Sequence, residues 1–353
     1  MTGKSIVVIP ALEPDNKLVS YVQELINNGI EKIIIVDDGS GQSYRHIFEK
    51  LAGKAQCDLV THDVNKGKGR ALKDAIAYYM EKGYDKSYNG IITADADGQH
   101  AVEDVLKISD KMSATESALI LGEREFDRDV PFKSKAGNSI TRNIFRLLYG
   151  IKLHDTQTGL RGIPNSLLED FSTIAGERYE YEMNMLIECS RKKIAIESVT
   201  IQTIYLDNNS ASHFNPFKDS VKIYKVILGN FIKYALSSLS ATLIDICLFK
   251  LCVMVLKPKI SMYILCATIM ARIFSSLYNF FINKNVVFKS DKPVIATAVK
   301  YYILCVCQML VSAGLVTLCY SLLPIGETIE KMLVDTLLFF ISYRIQRKFI
   351  FNE

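Results

Sequence analysis

Two aspartates, one residue apart, follow a short apolar run in the stretch IITADADGQH, residues 91–100. Asp95 and Asp97 supply hard carboxylate oxygens, and the Gln99 amide adds an oxygen two residues later. Mg²⁺ and Mn²⁺ prefer such ligands and complete their coordination with phosphate oxygens of a substrate. The stretch therefore predicts a site where Mg²⁺ or Mn²⁺ and a nucleoside diphosphate bind together.

A second acidic pair, Asp37 and Asp38, ends the apolar run IIIVDDGS. In a doubly wound sheet, ligands bind beyond the carboxyl ends of the strands, and both acidic pairs are expected there. Aspartate at a strand end also caps turns, and DDGS alone is a turn signal. Each motif by itself leaves the turn explanation open, whereas two of them on one domain favour a binding site.

The elements that would position these carboxylates can be read from the apolar pattern before residue 230. Runs of strand length, such as SIVVIPA and ALILGE, alternate with longer stretches at helical spacing, such as GRALKDAIAYYMEKG. Strands and helices in alternation predict an α/β domain with a largely parallel sheet.

The chain changes character after residue 230. Apolar segments at about 231–256, 260–283, 299–323 and 328–345 approach or exceed the ~20 residues of a spanning helix. A buried helical core is the alternative, but three of the segments are too long and too continuous for it. The fourth carries Glu330, Lys331 and Asp335 in its first half. The pattern predicts an all-α transmembrane domain of four helices. Asp245 and Arg272 are charges inside these segments, and we expect them to pair with each other, with a path for a lipid headgroup as the alternative.

Charge predicts the orientation and argues against one class of partner. Lysines and arginines gather before the first apolar segment, after the second and after the fourth. By the positive-inside rule, the protein lies in the cytoplasmic membrane with its N-terminal domain and both termini in the cytoplasm. A net charge of +4, from 42 basic and 38 acidic residues without a Lys/Arg-rich run, argues against nucleic acid as a partner.

Four motifs resemble the successive donor-site motifs of family 2 glycosyltransferases, which have a GT-A fold: VVIPALEPD, IIIVDDGS, NKGKGRALKDA and ADADGQH. Further stretches resemble the polyprenyl-phosphate hexose synthases, the group of dolichol-phosphate mannose synthase: LGEREF, PFKSKAGNSITRNIFRLLYG, DTQTGLRGIP, RYEYEMNMLIE and SHFNPFKDSVKIYKVI. The remainder resembles a GtrA-like four-helix membrane domain through ATLIDICLFKL, ARIFSSLYNFFINKNVVF and LLFFISYRIQRKFIF.

These resemblances imply a Rossmann-like GT-A catalytic domain at 1–212, an interfacial amphipathic helix and linker at 213–230, and a GtrA-like transmembrane domain at 231–353. They imply an inverting transfer of a hexose from a nucleotide-diphosphate sugar to undecaprenyl or dolichyl phosphate, giving a lipid-linked donor for cell-envelope glycans. The loop PALEP departs from the common PxYNE pattern and leaves UDP-hexose and GDP-hexose both open.

The same resemblances imply roles for individual residues. The donor-binding residues would be Pro10, Ala11, Glu13, Asp37, Asp38, Lys68, Asp95, Ala96 and Arg161. The metal would lie on Asp95, Asp97 and Gln99, and the catalytic residues would be Asp97, Asp155 and Gln157. The acceptor phosphate would contact residues among Arg124, Lys133, Lys135, Ser139, Arg142 and His213.

Two amphipathic helices are predicted beside the acceptor segment. One would present Ile140, Ile144, Leu147 and Leu148, and the other Phe217, Val221, Tyr224 and Leu228 next to a row of lysines. An apolar face with cationic flanks suits a helix that lies among anionic headgroups.

Two other functions stay open at this point. A glycosyltransferase that extends a glycan or glycolipid would need a carboxylate such as Asp155 or Glu180 as a base. Alternatively, the membrane half translocates or binds lipid-linked sugar. The sequence does not determine the oligomeric state, and a homo-oligomer is one of the possible states.

Overall fold

The structure is a computed structural model that describes residues 4–115, 117–124, 132–202, 218–258, 261–322 and 326–351, with backbone only at 132–136 and 327. The chain divides into two compact units, Met1–Ile227 and Leu228–Glu353, and each is described by itself. The finer division into domains at 1–212, 213–230 and 231–353 remains a prediction.

The first unit alternates strands and helices. Its strands, in chain order, are β1 (Ile6–Ala11), β2 (Ile33–Asp37), β3 (Cys57–Thr61), β4 (Gly90–Thr93), β5 (Ala118–Arg124), β6 (Arg161–Pro164) and β7 (Ala195–Ile201). The helices between them are α1 (Asn16–Asn27), α2 (Arg45–Ala52), α3 (Lys68–Glu81), α4 (Val102–Ser113), α5 (Phe132–Tyr149), α6 (Asn165–Ser172) and α7 (Glu180–Lys192).

The strands form one seven-stranded sheet in the order β3-β2-β1-β4-β6-β5-β7. Strand β6 runs antiparallel to β4 and β5, and the other paired strands are parallel. Strands β1, β2 and β4 are apolar and buried on both faces, as expected for a sheet covered by helices on each side. The predicted fold class, a mostly parallel Rossmann-like α/β domain, is confirmed.

The second unit is helical. It contains the greater part of α8 (Lys218–Leu256), together with α9 (Tyr263–Ile282), α10 (Val294–Leu322) and α11 (Glu327–Ile345). Short π-helical segments, Asn283–Val287 and Gln346–Phe351, follow α9 and α11. Side chains of Phe280, Tyr301, Ile350 and Phe351 form a small apolar core there.

Among the described residues, three helical segments are long and apolar enough to cross a membrane, namely Lys218–Leu256, Tyr263–Val287 and Val294–Leu322. The protein is therefore an integral membrane protein. Helix α11 falls short because Glu330, Lys331, Asp335 and Arg344 lower its hydropathy, and its role as a fourth span remains a prediction. The predicted pairing inside the membrane domain is confirmed, since an Arg272 Nη2 lies 3.5 Å from Asp245 Oδ2.

Candidate active site

A cavity of about 620 Å³ opens at the carboxyl ends of β1, β2 and β4. The register of the sheet aligns Ala11 of β1 with Asp37 of β2, so the loops that follow these strands start side by side. The predicted residues that line the cavity are Pro10, Ala11, Glu13, Asp38, Lys68, Asp95, Ala96 and Asp97. The structure thus gathers both acidic motifs around one cavity.

The Asp38 carboxylate is buried and organises the loop that leads into α3. Its Oδ1 accepts hydrogen bonds from the Lys66 N–H at 2.9 Å and from His62 Nδ1 at 2.8 Å, and its Oδ2 accepts from the Gly67 N–H at 2.8 Å. The other ring nitrogen, His62 Nε2, lies 3.0 Å from Asp74 Oδ2. Because these contacts occupy both oxygens of Asp38, its carboxylate shapes the cavity wall.

Asp37 does not line the cavity but fixes a loop that does. Its Oδ1 accepts from the Ser40 N–H at 2.9 Å, and Ser40 Oγ in turn accepts from the Glu13 N–H at 2.8 Å. Glu13 has a φ of 48°, in the left-handed region that residues with a side chain seldom adopt. The turn after β2 therefore fixes the backbone of the loop after β1.

Lys68 connects three elements at the floor of the cavity. It is the first residue of α3, and its Nζ lies 2.6 Å from Asp95 Oδ1 and 2.9 Å from Glu182 Oε1 of α7. Burial alone would lower the pKa of Lys68, but the two carboxylates raise it well above its usual value. The ammonium is therefore charged throughout the physiological pH range.

Asp95 is held ionised by its neighbours. Burial would raise the pKa of this carboxyl, but the Lys68 ammonium outweighs burial and holds the pKa at about 2. The Asp95 N–H donates to His100 Nδ1 at 3.1 Å, so a neutral His100 ring carries its proton on Nε2, 3.8 Å from Asp95 Oδ2. Burial lowers the pKa of His100 and favours that neutral ring.

Asp97 lies in a less favourable setting. Its Oδ1 accepts from the Gln99 N–H at 3.1 Å, which closes a turn behind Asp95. Burial, and then the negative charge of Asp95, raise the pKa of Asp97. A cation bound between the two carboxylates would relieve this repulsion.

The residues present fit a divalent cation that is bound together with its substrate. Asp95 and Asp97 offer hard oxygen donors to one cavity, and their mutual repulsion favours a cation there. Among the described residues, no group of three or more His, Cys, Asp or Glu side chains forms a complete cage. The remaining ligands would then come from a diphosphate, and the assignment of Gln99 to the metal remains a prediction.

Gly159 makes room for the Asp95 carboxylate. A Cβ atom at this position would lie 2.5 Å from Asp95 Oδ2 and 2.8 Å from Oδ1. Thr93 Oγ1 donates to the Gly159 carbonyl at 2.7 Å and holds the segment in place. A side chain at 159 would therefore force the Asp95 carboxylate to move.

Two predicted residues pair with each other beside the cavity. Arg124, at the end of β5, donates from Nε to Asp155 Oδ2 at 2.6 Å and from Nη2 to Oδ1 at 3.2 Å. Asp155 is fully buried, and its Oδ1 also accepts from the Gln157 N–H at 2.9 Å. The Gln157 side chain is exposed, and neither Asp155 nor Gln157 lines the cavity.

Arg161 is buried at the start of β6 and does not line the cavity. Its Nε donates to the Thr158 carbonyl at 3.0 Å, and its Nη1 donates to the Glu182 carbonyl at 2.6 Å. These bonds hold the start of α7, which carries Glu182, against the sheet. The donor-binding roles of Arg161 and Asp37 and the catalytic roles of Asp155 and Gln157 remain predictions.

Of the predicted acceptor residues, Ser139 and Arg142 lie half-buried on α5. The buried Asn138 ties this helix to the segment of Asp155, because its Nδ2 donates to the His154 carbonyl at 3.0 Å. The side chains of Lys133 and Lys135, and the whole of His213, lie outside the described residues. Their acceptor role remains a prediction.

The two predicted amphipathic helices contact each other within the first unit. Tyr149 Oη of α5 donates to the Ile227 carbonyl of α8 at 2.9 Å. Ile223 and Ile227, which the predicted stripe left out, are buried near the start of α8, whereas Val221 is exposed. Ile140 and Leu147 of α5 are exposed as well. The predicted apolar faces are therefore divided, because Leu148 is buried and Ile144, Tyr224 and Leu228 are half-buried, and Phe217 lies outside the described residues.

Comparison with known families accounts for both halves of the sequence. Residues 6–171 match Glycosyl transferase family 2, and residues 233–351 match the family described as GtrA/DPMS, transmembrane domain. The chain joins a family 2 glycosyltransferase domain to a GtrA/DPMS transmembrane domain. Both recognitions made from sequence motifs are thereby confirmed.

Several curated relatives are similar to the glycosyltransferase half. UDP-N-acetylglucosamine--dolichyl-phosphate N-acetylglucosaminyltransferase of Methanococcus voltae is 29% identical over 63% of this chain and 94% of its own length. Polyprenol monophosphomannose synthase of Mycolicibacterium smegmatis is 24% identical over 57% of this chain and 77% of its own length. Among solved structures, S. aureus TarS in complex with UDP-GlcNAc matches with a TM-score of 0.36 and 16% identity, over 64% of this chain and 65% of that one.

Several residues that build the site were not predicted from the sequence. His100 and Gly159 surround Asp95, Tyr179 lines the cavity, and His62 bridges Asp38 and Asp74. His100 directly follows the DADGQ motif, and this position in the sequence could have marked it as a site residue. The other contacts join residues far apart in the chain, and only the fold shows them.

Proposed function

We propose that this glycosyltransferase moves a hexose from a nucleoside diphosphate sugar to a polyprenyl phosphate and so forms a lipid-linked sugar. Two named relatives, a dolichyl-phosphate N-acetylglucosaminyltransferase and a polyprenol monophosphomannose synthase, support a lipid phosphate as the acceptor. The transmembrane domain supports it too, because such an acceptor is confined to the membrane. UDP- and GDP-sugars, and N-acetylhexoses among them, are all candidate donors.

One observation carries the donor side. The carboxylates of Asp95 and Asp97 and the ammonium of Lys68 line one cavity at the carboxyl ends of adjacent parallel strands. This is where doubly wound sheets bind nucleotides, and the mixture of charges suits a diphosphate with its counter-cation. Mg²⁺ or Mn²⁺ on Asp95 and Asp97 would neutralise the charge that builds up on the departing diphosphate.

In the proposed reaction, an oxygen of the lipid phosphate attacks the anomeric carbon of the sugar. The bond from that carbon to the diphosphate oxygen breaks, and the nucleoside diphosphate leaves with the bonding electrons. The nucleophile is already an anion, so the protein's task is mainly positioning. A single displacement of this kind inverts the anomeric configuration.

This chemistry agrees with the setting of Asp155. An enzyme that transfers sugar to a hydroxyl acceptor needs a base, and Asp155 is one of the two candidates for it, with Glu180. The buried Asp155 carboxylate is instead held in a two-bond contact with Arg124. A lipid phosphate acceptor requires no such base, which favours it over a glycan hydroxyl.

The surface near α5 also suits a lipid acceptor. Ile140, Leu147 and Val221 are exposed, and Lys222 and Lys225 are exposed on the same stretch of α8 as Val221. Apolar side chains flanked by lysines favour contact with an anionic membrane surface. We further propose four spans, with the catalytic unit and both termini in the cytoplasm, where nucleotide sugars are made.

The test is a transfer assay with purified full-length protein, undecaprenyl or dolichyl phosphate, and a panel of radiolabelled UDP- and GDP-sugars. We expect labelled lipid with Mg²⁺ or Mn²⁺, and at least a hundredfold less with chelator or with Asp97→Ala. If the protein bound a nucleotide sugar but formed no labelled lipid with any sugar of the panel, the proposal that a polyprenyl phosphate is the acceptor would be wrong. If labelled lipid formed equally well in chelator, the reaction would not require a divalent cation, whereas the proposal of a lipid phosphate acceptor would still hold.

A further inference from the structure

Lys68 has an arrangement that the proposed reaction does not by itself require. Its ammonium lies 2.6 Å from Asp95 Oδ1, so it contacts an oxygen that the proposed cation would also use. An ammonium and a divalent cation cannot occupy the same side of one carboxylate oxygen at full contact. Binding of the cation to this oxygen therefore competes with Lys68.

Lys68 has a second carboxylate to retain when the first is taken. Glu182 Oε1 lies 2.9 Å from the same Nζ, and the Glu182 side chain is 11% exposed. The Glu182 backbone is fixed by the buried Arg161, whose Nη1 donates to its carbonyl at 2.6 Å. An ammonium released by Asp95 thus keeps a fixed, buried counter-charge within reach.

The released ammonium would also keep its place beside the cavity. Lys68 is the first residue of α3, and the Gly67 N–H that precedes it is held by Asp38 Oδ2 at 2.8 Å. Lys68 lines the cavity together with Asp95 and Asp97. A cation at this point of a nucleotide cavity is placed to pair with a phosphate oxygen.

We propose that Lys68 is a resident cation of this site, which balances Asp95 before the donor binds and transfers to the donor's diphosphate when a divalent cation takes Asp95. This inference rests on the proposed function and adds that the divalent cation and the donor's diphosphate depend on each other for binding. The divalent cation binds weakly to the free protein and tightly once the diphosphate is present, because the diphosphate accepts the displaced ammonium. Metal and nucleotide therefore bind with positive coupling, in which Lys68 is the linking residue.

The experiment measures Mn²⁺ binding to the full-length solubilised protein, without nucleotide, from the electron paramagnetic resonance signal of free Mn²⁺. Lys68→Met removes the competitor, and we expect Mn²⁺ to bind about tenfold more tightly than to the wild type. Lys68→Arg keeps the charge and should stay within about twofold of the wild type. Lys17→Met is the matched control, because Lys17 lines the same cavity and its ammonium lies 3.9 Å from Asp15.

A second variant gives a change of the opposite sign. Glu182→Gln removes the carboxylate that receives the displaced ammonium, so Lys68 stays on Asp95 and Mn²⁺ should bind several-fold more weakly than to the wild type. This arm decides the matter if Lys68→Met does not fold. In parallel, UDP and GDP binding measured with chelator should weaken about tenfold in Lys68→Met, since the diphosphate loses its ammonium partner.

The outcomes separate the two proposals. Mn²⁺ affinity in Lys68→Met equal to or below that of the wild type would overturn the role of Lys68, as would unchanged affinity in Glu182→Gln. The transfer assay could still succeed in that case. If neither the wild type nor any variant bound Mn²⁺, even with UDP or GDP added, a Mn²⁺ site on Asp95 and Asp97 would be excluded. The proposed competition between Lys68 and the cation for Asp95 would then be wrong as well.

Discussion

At the scale of single residues, Gly159 has a consequence that can be measured. Gly159→Ala places a Cβ atom 2.5 Å from Asp95 Oδ2, so the carboxylate must move. A misplacement of about 1 Å at a reacting centre can cost ~100-fold in rate, and we expect transfer activity to fall at least tenfold. The measurement is steady-state transfer alongside thermal unfolding of the same preparation.

Gly53→Ala is the matched control for this change. A Cβ at Gly53 would lie 3.6 Å from the Glu49 carbonyl oxygen, an ordinary contact at the end of α2. Its activity should equal that of the wild type. Full activity in Gly159→Ala would mean that the position of Asp95 does not limit the reaction.

His62 is a second residue whose substitution should change both stability and donor binding. His62→Ala leaves the buried Asp38 carboxylate without its ring partner, which should destabilise the protein by about 1–3 kcal/mol. The KM for the donor should also rise, because Asp38 holds the loop of Gly67 at the cavity. Thermal unfolding and donor kinetics measure the two effects.

The control for His62 is His46→Ala. His46 is exposed on α2, with its Nδ1 3.0 Å from the Ser43 carbonyl oxygen, and its removal should change neither property. Equal stability of the two variants would show that the contact of His62 with Asp38 contributes nothing to the fold.

At the scale of elements, a cluster of charges fastens α3 to the segment before α7. Glu177 accepts hydrogen bonds from Arg70 Nε at 2.6 Å and from Lys73 Nζ at 3.0 Å, and its carbonyl accepts from the Arg70 N–H at 3.0 Å. Gly69 permits this close approach, since a Cβ there would lie 2.6 Å from the Tyr181 Cβ. This contact positions Lys68 opposite Glu182.

The same cluster predicts a pH dependence. Burial would raise the pKa of Glu177, but hydrogen bonds from Lys73 and Arg70 outweigh it and lower the pKa below its ordinary value of 4.5. A carboxyl whose pKa is lower in the folded state stabilises the fold above the unfolded pKa, and that contribution is lost as pH falls through the folded pKa.

We therefore expect Glu177→Gln to lower the melting temperature at neutral pH. The difference from the wild type should shrink progressively below about pH 4.5. Thermal unfolding at a series of pH values measures it, with Glu169→Gln on the exposed surface of α6 as the control. A difference that stays constant down to the lowest pH at which the protein folds would contradict the ionic origin.

The elements themselves were partly predictable from the sequence. Strands β1, β2 and β4 are continuous apolar runs, and β2 and β4 end in polar residues, so the existence of these strands and the edge they share follow from local pattern. The short antiparallel β6, RGIP, has no such pattern, because its pairing with β4 and β5 is decided by the sheet around it. The bond between Lys68 and Glu182 was hidden for the same reason, since it depends on how α3 and α7 pack.

The phase of the amphipathic helix at the start of α8 shows a further limit. Periodicity identified Val221 and Tyr224 as one apolar stripe, yet Ile223 and Ile227 face the protein. A helix that contacts protein on one side and another apolar surface on the other carries two stripes. Hydrophobic periodicity alone does not tell which stripe meets which partner.

At the scale of the whole molecule, the number of spans decides on which side of the membrane the chain ends. The N-terminal unit and the C-terminus share one side if α11 crosses, and lie on opposite sides if it does not. Helix α11 is less apolar than the other three because it carries Glu330, Lys331, Asp335 and Arg344. The structure shows what reduces the cost of two of these charges: Lys331 Nζ lies 2.9 Å from Asp335 Oδ2, and Ser312 Oγ of α10 donates to Asp335 Oδ1 at 2.5 Å.

We expect α11 to cross the membrane, because Lys331 and Asp335 are paired and because Arg344 in its last turn and Arg347 and Lys348 after it mark a cytoplasmic end. Single cysteines at exposed positions 257 and 291, and one added at the C-terminus, can be tested in intact cells with a membrane-impermeant maleimide. Lys257→Cys should react from outside, whereas Asp291→Cys and the C-terminal cysteine should react only after the membrane is opened, with the parent chain as the control for its own thiols. A C-terminal cysteine that reacts from outside, while Asp291→Cys stays protected, would establish three spans.

The same labelling measures whether the pairing of Lys331 with Asp335 permits the crossing. Lys331→Met combined with Asp335→Leu removes both charges and should leave the four-span topology intact. Asp335→Leu by itself leaves Lys331 without its carboxylate and should yield a fraction of molecules with the C-terminus outside.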